Sequence, residues 1–278
     1  MIEEFEEYLN TYVSSLKNCE IKDAISYSID GGKRIRPLFI FSILKGMNID
    51  YRKGFDAALA LEFIQTYSLI HDDLPEMDND DFRRGKPSLH KKFDAGVALL
   101  TGDEMLTDSF GIISSSKDYS DSCKVKLINI FSSYSGLNGM LYGQFLDIIT
   151  SADELDLNKL TLIHDNKTSG LFKIACISPA IIAGYDNLDY FERLGYLIGL
   201  IFQSQDDLFD LISNEAELGK STSDKDNNKA TALTLFTIDE LKNHIKSLFT
   251  ELDNHLKEAP FNTDELNKLI QKLKDRNK

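Results

Sequence analysis

Apolar positions along the chain recur at three- and four-residue intervals, the period of a helix face rather than of a strand. Ile2, Phe5, Tyr8, Leu9, Tyr12 and Val13 set the pattern, and residues 1–30 read as two amphipathic helices. Gly31-Gly32-Lys33-Arg34-Ile35-Arg36-Pro37 interrupts it, with Pro37 suited to the first turn of the next helix. Leu38 to Gly46 and Phe55 to Asp73 are apolar nearly all round, which predicts buried helices. Helical spacing resumes from Ala95 to Phe110 and from Val125 to Phe131. Gly136, Gly139 and Gly143 then share a face, which predicts close helix packing, with Gln144 and Asp147 together on the polar side.

Asp156 is placed to cap a helix running to about Asn166, which Lys167-Thr168-Ser169-Gly170 breaks before Leu171 to Ala183. Phe191 to Asp210 is a second long apolar helix, and Glu215 to Asn228 reads as a mobile polar loop. Thr237 and Glu240 have capping-box spacing ahead of a helix near Ile238, and a last helix begins near Thr263. No stretch has the period of a strand. The pattern predicts an all-α chain, one domain spanning residues 1–278.

Composition agrees. Gly (16) and Pro (5) are scarce in 278 residues, which suits long helices, and the apolar share of 42% is enough for a sizeable core. No apolar run approaches the ~18 residues of a membrane span. The acidic start, Met1 to Glu7, is unlike the basic start of a signal peptide. Cys19, Cys123 and Cys176 are widely spaced and odd in number, which predicts buried apolar thiols in a reduced, cytoplasmic setting. A net charge of −14 argues against nucleic acid or an anionic membrane as partner.

The negative charge is concentrated in two places. His71-Asp72-Asp73-Leu74-Pro75-Glu76-Met77-Asp78 follows the first long apolar helix, and Gln203-Ser204-Gln205-Asp206-Asp207-Leu208-Phe209-Asp210 closes the second. Carboxylates clustered at buried helix ends repel one another and face the negative end of the helix dipole, so they call for a cation. Oxygen-only clusters suit Mg²⁺ and the phosphates it escorts. Asp206 and Asp210 share one helix face, whereas Pro75 must make the chain bulge if Asp78 is to join Asp72. Lys33 and Arg36 would project to one side at a helix start, a natural anion cradle beside the solvated-surface reading.

These motifs, in this order, resemble the trans-isoprenyl diphosphate synthases, and among them the bacterial farnesyl-producing type. The likeness runs from Gly31-Gly32-Lys33-Arg34-Ile35-Arg36-Pro37 through Asp72-Asp73 with Arg83-Arg84-Gly85-Lys86-Pro87 to the closing Arg276-Asn277-Lys278. It implies an all-helical bundle of the isoprenoid synthase type with a central cavity, a homodimer, and Mg²⁺, three ions per active site with substrate bound. Asp72, Asp73, Asp78, Asp206, Asp207 and Asp210 would match the metal positions. Arg83, Lys167, Lys220 and Lys229 would surround the allylic diphosphate, and Lys33, Arg36, Gln65 and Arg84 would take isopentenyl diphosphate.

The implied reaction is ionisation of the allylic diphosphate, attack by the alkene of isopentenyl diphosphate, and proton loss. Lys167, Thr168, Gln203 and Lys220 would be catalytic, Thr168, Gln203 and the Lys167 carbonyl supplying dipoles for the cation. His71 reads as a residue that supports the neighbouring aspartates or packs, rather than as a base. Tyr67, five residues before Asp72 and so roughly 7.5 Å down the helix axis, with Ser68 beside it, would limit chain length to farnesyl. The chain departs from the family after Lys229, with Ala230-Thr231-Ala232-Leu233 where Thr-Tyr-Pro is usual. Alternatives are a synthase of other product length (geranyl or geranylgeranyl), a non-catalytic partner subunit, a terpene cyclase and a generic Mg²⁺ phosphohydrolase. Two complete aspartate motifs argue against the partner subunit and the cyclase. The apolar helices, with Lys33 and Arg36, argue against the phosphohydrolase.

Overall fold

The first half of the chain runs through α1 (Ile2–Ser15), α2 (Glu20–Ile29), α3 (Ile35–Gly46) and α4 (Phe55–Asp72). A short hairpin, β1 (Phe82–Arg83) and β2 (Lys86–Pro87), leads into α5 (Leu89–Lys92), α6 (Ala95–Ser115) and α7 (Asp121–Ser135). The second half holds α8 (Met140–Ile149), α9 (Leu157–His164), α10 (Gly170–Ile182), α11 (Asp189–Leu218), α12 (Ile238–Leu256) and α13 (Asp264–Lys274). This computed structural model describes residues 1–218 and 235–276. The fold is all-α. Two compact units divide it: Met1–Asn129 with Ile181–Gly184, and Ile130–Ala180 with the described residues from Tyr185 on. Among the described residues no helix is long and apolar enough to cross a membrane.

The first unit is built around α4, which packs along α6 and buries Ala57 to Ile64 without interruption. Its far end is closed by Phe5, Phe41 and Phe55, whose rings meet edge-on at 5.3–5.7 Å, the arrangement their quadrupoles favour. Arg34, not marked out by the pattern, anchors the same unit. It caps α3 in a left-handed conformation (φ 49°) and is almost fully buried. There it donates to Glu6 Oε1 at 2.7 Å, Glu62 Oε2 at 2.9 Å and the Ile29 carbonyl at 2.7 Å.

The hairpin corrects the expectation that no strand occurs. Two-residue strands show no period, so the pattern is silent about them. The turn is a primed one, with Arg84 (φ 53°) and Gly85 (φ 74°) both left-handed, which matches the twist of paired strands.

The second unit packs α11 against α12 and against a π-helical turn, Asp165–Ser169, that joins α9 to α10. Asp156 caps α9 by accepting from the Lys159 N–H at 2.7 Å, and Thr237 with Glu240 forms the expected capping box on α12. The expected break at Lys167 is instead this π turn. No proline stops the helix there, and Gly143 lets the widened backbone approach, since a Cβ at 143 would lie 2.1 Å from the Lys167 nitrogen. Gly136 and Gly139 do not share a helix face with Gly143. They lie in the turn after α7, where Gly139 is pressed on the Tyr134 carbonyl.

α11 also outruns its apolar stretch and reaches Leu218, because Glu215, Ala216, Glu217 and Leu218 are good helix formers and the first glycine after Gly199 is Gly219. The second aspartate motif therefore sits inside a helix and not at its end. Of the three thiols only Cys176 is buried; Cys19 is exposed and Cys123 half-exposed, because both lie on polar helix starts.

Candidate active site

α4 delivers the first aspartate motif. Asp72 is its last residue and Asp73 its C-cap, and Pro75 turns the chain back so that the Asp78 N–H donates to the Asp72 carbonyl at 2.9 Å. The expected bulge is thus present. Asp73 is buried and its carboxylate is gripped by Arg83, with Nε 3.0 and 3.1 Å from the two oxygens and Nη2 closing the fork. Burial raises the Asp73 pKa and the Arg83 bonds oppose that rise. Arg83 reaches Asp80 as well, at 3.2 Å.

Gln65, Ser68, Leu69 and Asp72 form a half-buried stripe along the otherwise buried α4, spaced by three, four and seven residues from Gln65. Tyr67 lies about 140° round the helix from Asp72 at ~100° per residue. It is buried, edge-on to His71 at 5.6 Å, and its pKa is pushed up to about 12 by burial and by Asp72. His71 bonds the Leu99 carbonyl at 3.1 Å and packs onto Gly102 of α6. Packing is the role that the residues allowed it.

A small cleft opens beside this motif, lined by Tyr27, Thr66, Asp73, Arg83, Arg84 and Lys86 among others. Arg84 donates to the Ser28 carbonyl at 3.3 Å, and its guanidinium comes within 3.4 Å of where a Cβ on Gly32 would stand. The basic loop and the arginine pair are therefore neighbours. The helical spacing expected of Lys33 and Arg36 does not apply, however. The helix begins only at Ile35, so Lys33 lies outside it and is exposed, whereas Arg36 is buried.

In the second unit a chain of hydrogen bonds links the π turn to the second motif. Thr168 Oγ1 donates to Gln203 Oε1 at 2.6 Å, and Gln203 Nε2 donates to Asp207 Oδ1 at 3.0 Å. Lys167 pairs with Asp147 at 2.6 Å. Asp206 pairs with Arg276 at 2.6 Å, and His164 Nε2 is 3.3 Å from Asp207 Oδ2. Burial, and then the charges of Asp206, Asp210 and Asp147, raise the Asp207 pKa to about 7 against the Gln203 bond. Lys220 and Lys229, with the altered segment after Lys229, lie outside the described residues.

Among the described residues no three His, Cys, Asp or Glu side chains are already gathered to hold a metal ion. Asp73, Asp206 and Asp207 are instead engaged by Arg83, Arg276 and Gln203. The donors still fit a hard divalent cation. They are carboxylate oxygens, and the burial and, after it, the mutual repulsion that raise the Asp207 pKa are what such a cation offsets.

Burial depresses the His164 pKa to about 4, so His164 is neutral in the fold. Its unfolded value of 6.5 makes it cost stability as pH falls from about 6.5 to 4. Asp207 works the other way, gaining stability as pH falls from about 7 towards 3.8. The two slopes oppose in the wild type. Thermal unfolding between pH 7 and 5 should show Asp207→Asn losing stability on acidification and His164→Gln gaining it. Parallel curves for both variants would remove this account.

Arg34, Glu62, His164 and Arg276 were missed by sequence reasoning. A charged residue inside apolar α4 signals a buried partner for Glu62; nothing local marks Arg276.

A family model described as polyprenyl synthetase matches residues 18–273. The chain is 39% identical to the farnesyl diphosphate synthase of Micrococcus luteus, over 98% of this chain and 97% of that one. The crystal structure of a geranyltransferase from Legionella pneumophila is similar with TM-score 0.86 and 31% identity, covering 99% and 95% of the two chains. A Helicobacter pylori geranyltransferase complexed with magnesium and isoprenyl diphosphate is similar with TM-score 0.82 and 31% identity, covering 99% and 96%.

Proposed function

The chain belongs to the polyprenyl synthetase family and is a prenyl transferase, and on that premise we propose that it makes (E,E)-farnesyl diphosphate. Isopentenyl diphosphate would be condensed in two steps, first with dimethylallyl and then with geranyl diphosphate, in a Mg²⁺-dependent reaction. The observation that carries this reading is the chain from Thr168 through Gln203 to Asp207, with Lys167 next to Thr168. Each donor in that chain points its hydrogen towards the carboxylate, so the oxygens of Thr168 and Gln203 present the negative ends of aligned dipoles. Such dipoles stabilise an allylic cation without attacking it. No nucleophile is needed.

Asp72, Asp73 and Asp78 in one motif, and Asp206, Asp207 and Asp210 in the other, hold the Mg²⁺. When bound, the metal supplies positive charge to the departing pyrophosphate. Lys167 and Arg83, with Lys220 and Lys229, add charge for the allylic diphosphate. Lys33, Arg36, Gln65 and Arg84 bind isopentenyl diphosphate, whose proton leaves to the pyrophosphate. The proximity of Arg84 to the Gly32 loop supports this grouping. Incubation with isopentenyl and dimethylallyl diphosphates plus Mg²⁺ should yield a fifteen-carbon product and none with EDTA. Absence of any condensation would refute the reading.

Tyr67 and Ser68 set the product length. The Tyr67 ring is buried and its hydroxyl has no hydrogen-bond partner among the described residues, as expected of a group kept for its volume. Tyr67→Ala should extend the main product beyond fifteen carbons by chromatographic sizing; an unchanged product would end that assignment.

The same reading includes a homodimer, and the exposed face of α8 supports it. Leu141 (47%), Phe145 (52%) and Ile148 (60% exposed) recur at i, i+4 and i+7, with Leu137 at the turn before them, an apolar stripe suited to pairing with its own copy across a two-fold axis. Sedimentation at micromolar concentration should give twice the chain mass, and Phe145→Asp should shift it to the monomer.

A further inference from the structure

The C-terminal helix α13 delivers a cation to the second aspartate motif. Arg276, beyond the end of that helix, places its Nη2 2.6 Å from Asp206 Oδ1. Its guanidinium lies over the Phe202 ring at 4.4 Å and reaches the Phe209 ring at 5.3 Å. Phe202, Asp206 and Phe209 are spaced i, i+4 and i+7, so one face of α11 forms a seat with a carboxylate between two rings. A planar, weakly hydrated guanidinium suits that seat better than an ammonium would.

The seat is held from behind. Gln205, itself buried, donates Nε2 to the Leu273 carbonyl at 2.9 Å, and Lys274 pairs with Asp253 at 2.8 Å. The Arg276 side chain is only 16% exposed, so its charge acts with little screening by water. It takes up an oxygen of Asp206 and offsets a third of the motif's formal charge. A divalent cation on the same carboxylate would have to displace it or bind against its repulsion.

On the reading that this motif holds Mg²⁺ during prenyl transfer, we propose that Arg276 is a built-in competitor for Asp206. It stabilises the metal-free protein and sets the Mg²⁺ concentration at which the motif fills. Removing the charge while keeping an apolar stem on Phe202 and Phe209 separates these two effects, and Arg276→Met does so.

Metal-stripped wild type, Arg276→Met and Arg276→Lys are titrated with Mn²⁺, and the free ion is followed by its paramagnetic resonance signal. Arg276→Met should half-saturate at a concentration about five- to tenfold lower than wild type, and Arg276→Lys close to wild type. Thermal unfolding of metal-free Arg276→Met should come several degrees lower and recover with Mg²⁺. Superimposed Mn²⁺ curves, or weaker uptake by Arg276→Met, overturn the proposal. If that variant does not fold, Arg276→Gln carries the same titration with the same two outcomes. The wild-type condensation assay keeps the two readings apart. Mn²⁺ uptake that shifts as expected without any condensation sinks the prenyl reading alone, and condensation with superimposed curves sinks the Arg276 proposal alone.

Discussion

Asp207→Asn should fold as well as the wild type and condense prenyl diphosphates about a thousandfold more slowly, the size of effect seen when a pre-organised charge-stabilising group is lost. Asparagine keeps the shape and still offers an oxygen to the Gln203 N–H. What it removes is a negative charge that burial and the neighbouring Asp206, Asp210 and Asp147 already penalise. The metal-free variant at pH 7.5 should therefore melt at or above the wild-type temperature while its turnover collapses. That combination is hard to reach by general damage to the fold. Turnover within tenfold of wild type would show that this carboxylate does not hold metal.

The largest stability effect should come from Arg34→Met. Arg34 and Glu62 side chains are 3% and 4% exposed, and Glu6 completes the triad at 34%. Removing the cation leaves the buried Glu62 carboxylate without its hydrogen-bonded partner, with only the more distant charge of Arg84 acting on it, which costs about 3–5 kcal/mol. Adding Glu62→Leu should recover most of that loss, because the penalty lies in the orphaned charge and not in the missing pair. Urea unfolding of the two single variants and the double variant measures the coupling. Additive losses would mean that Arg34 acts through α3 alone, as a left-handed cap.

Much of the helical framework is legible in the sequence. The starts of α9 and α12 followed from Asp156 and from Thr237 with Glu240, since a cap depends on residues three apart. The bulge at Pro75 followed from a residue that cannot continue a helix. The misreadings share a cause. Lys167 to Gly170 looked like a break because local propensity does not know that Gly143 admits the backbone closely enough for a π turn. α11 looked as if it ended with its apolar run, although helix-forming residues carry it eight residues past Asp210. Lys33 falls outside the helix expected there because the left-handed Arg34 starts α3 only at Ile35.

Two aspartate motifs opened the functional question, and the residues alone identified them, their oxygen chemistry and the family they resemble. The sequence by itself determined the helical class, the caps and which side chains could bear metal and phosphate. Those properties depend on residue type and on spacings of a few positions, which physics reads locally. Only the tertiary structure decided that Arg34 serves Glu6 and Glu62, that Thr168 bonds Gln203, and that Arg276 seats itself on Asp206. Thr168 and Gln203 are 35 residues apart, and Arg276 and Asp206 farther still. At such separations a charge or hydroxyl has many candidate partners, and burial and packing select one.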